Sequence, residues 1–206
     1  MTLHIDRREN MDQRFAQQLR FLLEADKEKN IFRQTHLTDM GRQENDAEHA
    51  WHMAMMVWLL REYANEPFDV GRAMMMALIH DIVEIDAGDT YAYDESGKAT
   101  QQERERQAAD RIFGLLPADQ RDELRQLFEE FEAYATPEAR FARAMDNFQP
   151  LMLNVSNDGI DWRLHDVAKS QTAKRHAKTA SGSQTIGDYS MALIEEHTKK
   201  GNLRDE

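Results

Sequence analysis

The feature that most limits the fold of this 206-residue chain is the helical spacing of its apolar residues. Apolar residues that recur every three or four positions line one face of an α-helix, whereas strands alternate with a period of two. The sequence shows no strand-like alternation, and only four prolines and nine glycines interrupt it. Two clear stripes are Phe15, Leu19, Leu22 and Leu23, and Ala50, Trp51, Ala54, Met55, Trp58 and Leu59. The sequence therefore predicts an all-α protein.

Capping residues mark where several helices are expected to begin. Asn45 or Asp46 can cap the second helix, because a short polar side chain at this position accepts a hydrogen bond from a free backbone N–H group. Asp69 can cap a third helix, whose interior is apolar on nearly all sides. Thr100 and Glu103 have the spacing of a capping box, which predicts a further helix start there.

The remaining apolar residues are assigned to the core. Trp58, Trp162 and the methionines of residues 73–79 are expected there rather than on a partner surface. A final helix is expected over about residues 183–197. Residues 154–183 are polar with a weak helical signal, and we expect them to form a surface connection.

Composition limits the partners and the compartment. The chain has no cysteine, which excludes disulfides and thiolate zinc sites and is compatible with the cytoplasm. Residues 1–10 lack the apolar run of an export signal, and no stretch approaches the roughly 20 apolar residues that span a bilayer. A formal charge of −12 disfavours nucleic acid or an anionic membrane as the partner. A small phosphate ester remains compatible with this charge, because a metal ion and an arginine can reverse the local field.

The doublet His80-Asp81 follows directly after an apolar run, residues 73–79. Burying an imidazole next to a carboxylate costs several kcal/mol unless another group compensates for the lost hydration. A metal ion is the usual compensating group for this pair. Two further candidate ligands, His49 and Asp146, lie on other predicted helices, and Asp146 is surrounded by apolar residues.

These four side chains would supply two imidazoles and two carboxylates from three helices. Such a set suits one divalent ion, namely Mn²⁺, Co²⁺, Fe²⁺, Ni²⁺, Zn²⁺ or Mg²⁺. An ion that prefers six ligands would keep two positions for water and substrate. Glu84 follows His80 by four residues and Asp81 by three, so helical geometry predicts that it faces the same side. It could transfer protons, or it could accept a hydrogen bond that orients His80.

The order of these residues resembles that of the HD-domain metal-dependent phosphohydrolases. The segment from His80 to Asp89 is similar to the HDxxExxxGD signature of the branch that contains the bacterial 5′-deoxynucleotidases, and Glu48-His49 fits the same branch. The resemblance runs from about Phe21 to Pro150. It implies a helical bundle of the HD-domain type, with residues 1–206 as a single domain. Its core would span about residues 21–150, followed by a C-terminal helical extension.

The resemblance also implies roles for individual residues. His49, His80, Asp81 and Asp146 would bind the metal, whereas Glu84 and Asp89 would transfer protons and Arg33 would hold the substrate phosphate. Relatives with two metals carry additional histidines between the doublet and the last aspartate, and this chain has none there, so one ion is expected. The implied substrate is a (deoxy)nucleoside 5′-monophosphate, and the implied assembly is a homodimer.

Some residues depart from the branch, and two alternatives stay open. Gln34 replaces the tryptophan that follows the phosphate-binding arginine in the bacterial enzymes, and residues 90–94 lack the usual proline. Tyr91 or Tyr93 could stack on a base. A hydrolase for nucleotide tri- or polyphosphates would require a basic pocket, and few basic residues surround the signature. The other alternative is a catalytically silent nucleotide- or metal-binding module that acts as a sensor or interaction partner.

Overall fold

The computed structural model describes residues 12–93 and 95–206, and this part of the chain is helical apart from one small hairpin. The all-α prediction is confirmed. None of the described helices is both long and apolar enough to cross a bilayer. The expectations for residues 1–10 and for Asp94 lie outside the described residues. In chain order the helices are α1 Gln13–Ala25, α2 Asp46–Leu60, α3 Val70–Ile79, α4 Glu84–Ala87, α5 Glu95–Phe113, α6 Ala118–Ala133, α7 Pro137–Ser156, α8 Ile160–Leu164, α9 Lys169–His176, α10 Thr179–Gly182 and α11 Gln184–Lys199.

The hairpin joins β1, Phe32–His36, to β2, Gln43–Asn45, as an antiparallel pair with an irregular register. Its turn is closed by backbone hydrogen bonds and contains Met40 in a left-handed conformation, with φ of 61°. The strands are short and mostly polar, so the period-2 pattern that announces longer strands is missing. The sequence therefore did not predict the hairpin.

Helix α7 lies at the centre of the fold. Twelve of its twenty residues are buried, and it packs against both α2 and α3, which also pack against each other. Burial of this helix on more than one face is typical of a central helix. The fully buried side chains of this region include Met53, Val57, Met76, Ala77, Phe141 and Met145.

Two of the helix starts predicted from capping residues are found in the structure, and a third is not. Asn45 caps α2 through a reciprocal capping box with Glu48, and Asp69 caps α3 by accepting the N–H group of Arg72. The capping box predicted at Thr100 is wrong, because α5 begins at Glu95 and contains these residues in its interior. The Thr100 hydroxyl instead accepts a hydrogen bond from the Arg104 side chain at 3.3 Å.

The apolar stripe predicted on α2 is only partly buried. Its alanines face the core, but four large side chains face solvent, with Trp51 63% and Leu59 60% exposed. Trp162 is 2% exposed, as expected for the core, whereas the expectation that Trp58 and Met75 fill the core is wrong, because both are exposed. On α1 the buried residue is Phe21, and most of the predicted stripe is exposed. Periodicity locates a helix face without showing which element covers it. The exposed residues of these two stripes are Phe15, Leu22, Leu23, Trp51, Met55, Trp58 and Leu59.

The segment after α7 is more ordered than its polar sequence suggests. It folds into α8, α9 and α10, and α11 then begins at its predicted position behind the cap Ser183. His36 of the hairpin contacts Asp161 of α8 through both its backbone N–H group and its ring. An isolated parallel β-bridge pairs the backbones of Ala168 and Arg204, and it holds the residue directly before α9 in place. This segment is therefore not a simple surface connection, and its residues line one wall of the large cavity described in the next subsection.

Candidate active site

A cavity of about 830 Å³ opens between the hairpin, the turn after α3, the centre of α7 and helix α9. The site residues predicted from the sequence collect at this place. Those that line the cavity are Arg33, Asp81, Glu84, Asp89 and Asp146. His49 and His80 are buried next to them, with their rings 5.5 Å apart.

The two imidazoles and two carboxylates come together from three helices. His49 Nε2 lies 3.3 Å from Asp146 Oδ1, and His80 Nε2 lies 3.0 Å from Asp81 Oδ2. The cross distances, from His49 to Asp81 and from His80 to Asp146, are 4.0 and 3.8 Å between the same atoms. One ligand atom from each of His49, His80 and Asp81 lies within 4.8 Å of the others. This spacing suits side chains that share one cation.

Neighbouring hydrogen bonds direct the Nε2 atoms of both histidines toward this cluster. Gln149 donates from Nε2 to Glu44 at 2.6 Å, so its carbonyl oxygen faces His49 Nδ1, at 2.9 Å, and accepts from it. His80 Nδ1 donates to the carbonyl oxygen of Ala77 at 2.9 Å. His80 Nε2 is buried and makes no hydrogen bond with any described residue. Two imidazole nitrogens oriented in this way, together with carboxylate oxygens, fit a divalent first-row ion.

The electrostatic surroundings of His49 also favour a cation. Burial and the nearby Arg33 lower the pKa of His49, but contacts with Asp146 and Glu44 outweigh them and raise it to about 9. A divalent ion at this place would displace a proton from His49, so the affinity for the ion should rise with pH.

The carboxyl groups around the cluster fall into two classes. The pKa of Asp81 is lowered against the effect of burial by His80 and Arg33, and that of Asp146 by His49 and nearby arginines. Burial, together with the charge of Asp81, raises the pKa of Glu28 to about 8 and that of Asp46 to about 7. Burial, then Asp81 and Asp46, raise the pKa of Glu84 well above its usual range. The site therefore buries more carboxyl groups than its neighbouring cations can pair with, and several of them favour the protonated form.

Strand β1 delivers Arg33 to the cluster. Its side chain is only 12% exposed, and Nη1 donates to Asp81 at 2.6 Å and to Asp46 at 3.2 Å. Asp46 is fully buried and is the first residue of α2, one helical turn before His49. From the sequence, Asp46 was predicted only as a possible helix cap. Its position three residues before a predicted ligand, on the same helix face, was the available signal.

The cavity contains more positive charge than the residues around the signature suggest. Four further cations line it, and all of them lie at least 54 residues after Asp89 in the sequence: Arg143, Lys174, Arg175 and Lys178. Few basic residues surround the signature in the sequence, but the fold brings these distant cations to the same cavity. Arg143 Nη1 donates to Asp146 Oδ2 at 3.3 Å, and its guanidinium stacks on Phe131 at 3.9 Å.

Aromatic side chains occupy another part of the cavity wall. Tyr91 packs against His165, with ring centres 4.7 Å apart, and against the edge of Tyr93 at 5.2 Å. Both tyrosines and Gln34 line the cavity. His52 is half-buried, with Nδ1 3.1 Å from Gln149 Nε2.

Comparison with known proteins places the chain in a family. The HD domain model HD_3 matches residues 25–187, so the chain belongs to the HD domain family. It is 32% identical over 139 residues to the human 5′-deoxynucleotidase HDDC2, covering 66% of this chain and 67% of that protein. The mouse 5′-deoxynucleotidase HDDC2 is 30% identical over 139 residues, covering 66% and 68%. A crystal structure described as a predicted metal-dependent phosphohydrolase from Magnetospirillum magnetotacticum MS-1 superposes with a TM-score of 0.88. Its sequence is 49% identical, and the match covers 92% of this chain and 95% of that one.

The burial of Glu28 generates a pH prediction. Its pKa is raised to about 8 in the folded protein from 4.5, so folding favours the protonated form. The contribution of Glu28 to the free energy of unfolding is then highest below about pH 4.5. It falls as the pH rises toward 8 and stays constant above that. We expect Glu28→Gln to remove this fall and to raise the free energy of unfolding at pH 8 by about 2–5 kcal/mol.

Urea unfolding at pH 5 and pH 8 in the presence of chelator measures this difference. Glu123→Gln, at an exposed position of α6, controls for the loss of one negative charge. Equal pH dependence in the wild type and Glu28→Gln would contradict the prediction.

Proposed function

We propose that this protein is a metal-dependent phosphohydrolase that removes the phosphate of a (deoxy)nucleoside 5′-monophosphate. The observation that carries the proposal is the buried cluster of two imidazoles and two carboxylates, which adjoins Glu84 and Arg33 in one cavity. A volume of about 830 Å³ is sufficient for a nucleotide. The names of the curated relatives, 5′-deoxynucleotidases, support the same class of substrate.

In this proposal His49, His80, Asp81 and Asp146 hold one divalent ion, which is Mn²⁺, Co²⁺, Fe²⁺, Ni²⁺, Zn²⁺ or Mg²⁺. When bound, such an ion supplies Lewis acidity toward a phosphoryl oxygen and makes water a stronger acid. The buried Nε2 of His80, which lies beside Asp81 without an aligned hydrogen bond, supports this assignment.

Glu84 and Asp89 would transfer the protons. Glu84 would accept a proton from the attacking water, and Asp89 would donate one to the departing 5′-oxygen of the sugar. The pKa of Asp89 is raised by burial, which favours the protonated form that this role requires. Glu84 must instead be ionised to accept a proton. Neutralisation of the negative charges of Asp81 and Asp46 would lower the pKa of Glu84 and so favour its ionised form.

Arg33 would bind the phosphate. Only Nη1 of this side chain is engaged by carboxylates, and Nη2 and Nε make no hydrogen bond with any described residue. A planar guanidinium with two free donors suits bidentate contact with phosphate oxygens. Tyr91 and Tyr93 would flank the base, and Gln34 lies near Arg33 in the same wall.

Two alternatives make different predictions. The lysines and arginines of the cavity, Arg143, Lys174, Arg175 and Lys178, favour a second candidate function, the hydrolysis of nucleotides with more than one phosphate. A catalytically silent nucleotide- or metal-binding module would bind these ligands without releasing phosphate.

Phosphate release tests these alternatives. We expect release from ribo- or deoxyribonucleoside monophosphates when Mn²⁺, Co²⁺ or Mg²⁺ is added, and none in the presence of chelator. Preferential release from di- or triphosphates would favour the second candidate. Nucleotide binding without release from any member of the panel would contradict the proposed activity and support the silent module.

Variants should separate metal binding from proton transfer. Glu84→Ala should keep Mn²⁺ affinity but lower kcat by a factor of about 10² to 10⁴, because it removes a group that transfers protons. His80→Ala should lose both Mn²⁺ affinity and activity. Calorimetric titration with Mn²⁺ and steady-state kinetics distinguish the two effects. Normal turnover by metal-loaded Glu84→Ala would refute the role of Glu84.

We also propose that the protein is a homodimer through the exposed face of α2 and α3. This face carries Trp51, Met55, Trp58 and Leu59 on α2 and Met75 and Leu78 on α3. Adjoining apolar side chains of this size commonly mark an interface. We expect Trp58→Glu to sediment as a monomer while the wild type sediments as a dimer. A monomeric wild type would refute this assembly. The cytoplasmic location stays a prediction.

A further inference from the structure

Arg175 extends from α9 to the cluster on the side of Asp146. Its Nη2 atom lies 3.9 Å from Asp146 Oδ1, and its side chain is 22% exposed toward the cavity. Arg33 contacts the other aspartate of the cluster, Asp81. The two guanidinium groups therefore adjoin different carboxylates of the same cluster and line the same cavity.

The donors of Arg175 are only partly used. Nε donates to Asn147 at 3.2 Å, which fixes the plane of the guanidinium. The distance of 3.9 Å from Nη2 to Asp146 is too long for a hydrogen bond. Neither Nη atom makes a hydrogen bond with any described residue. These donors are accessible from the cavity, so a ligand or water there can accept hydrogen bonds from them.

Arg143 shows how a structural arginine differs. It is near the same Asp146, but its two terminal nitrogens donate to Asp146 and Glu132, and its face packs on Phe131. The protein itself satisfies the terminal donors of Arg143. Those of Arg175 remain for a ligand in the cavity.

We propose that Arg175 binds the phosphate group of the substrate as a second arginine, together with Arg33. This inference rests on the proposed function, and it assigns a role to the polar segment after α7. Two guanidinium groups would contact the phosphoryl oxygens from different sides and stabilise the negative charge that they carry during transfer. The ligand chemistry required is a phosphate dianion, either as the ester or as inorganic phosphate.

The test compares Arg175→Met, Arg175→Lys and a control, Lys169→Met. Lys169 lies on the same helix outside the cavity, so its replacement removes the same charge from α9. For Arg175→Met we expect kcat/KM for the monophosphate to fall about 10²-fold. The inhibition constant of inorganic phosphate should rise about 10-fold, and that of the uncharged nucleoside should not change. Arg175→Lys should recover part of both losses, and Lys169→Met should stay within twofold of the wild type.

Mn²⁺ affinity distinguishes phosphate binding from a structural role. It should not decrease in Arg175→Met, because a positive charge near Asp146 is removed, whereas a role in holding Asp146 would lower it. Lower Mn²⁺ affinity, or an unchanged inhibition constant for phosphate, would overturn the assignment.

Equilibrium dialysis of inorganic phosphate with the Mn²⁺-loaded protein does not depend on turnover. If the wild type binds phosphate and Arg175→Met binds it equally well, the role of Arg175 alone is wrong. If the wild type neither hydrolyses monophosphates nor binds phosphate, the proposed function fails, and the role of Arg175 fails with it.

Discussion

The structure depends on how buried negative charge is balanced around two imidazoles. Six carboxyl groups are buried within one region, with fewer side-chain cations beside them: Glu28, Glu44, Asp46, Asp81, Glu84 and Asp146. Desolvation makes each unpaired charge costly, so some of these groups take up protons and others contact arginines. A divalent cation would relieve the remaining imbalance. The same imbalance that makes the site costly to bury favours a metal cation there, whereas the arginines of the cavity favour phosphate.

The residues of this cluster lie near the start of α2, at the end of α3 and in the centre of α7. The Asn45 cap sets the start of α2, so that Asp46 and His49 lie on one face. Helix α3 ends at the doublet, where His80 uses a carbonyl of its own last turn to orient its ring. On α7, Gln149 follows Asp146 by three residues, so one helix provides both a carboxylate and the amide that orients His49.

The sequence predicted which candidate residues come together better than it predicted their surroundings. The ligand candidates could be identified because a buried carboxylate or imidazole in an apolar helix requires a partner, and because helical spacing groups Glu84 with the doublet. Arg175 and Gln149 could not be identified, because their contacts join residues that are distant in the chain. The hairpin was missed because short polar strands have no distinctive period. Exposure of Trp58 was missed because periodicity does not distinguish a covered face from an open one.

The attachment of α8 and α9 has a consequence for protein engineering. Asp161 of α8 contacts His36 of the hairpin through two hydrogen bonds. The β-bridge between Ala168 and Arg204 holds the residue before α9 in place. The four candidate ligands lie outside this segment, on α2, at the end of α3 and on α7. Residues 160–178 are therefore a compact region in which substitutions can reshape the cavity while the ligand scaffold is retained. New preferences among phosphate esters should be sought first in a library confined to this segment.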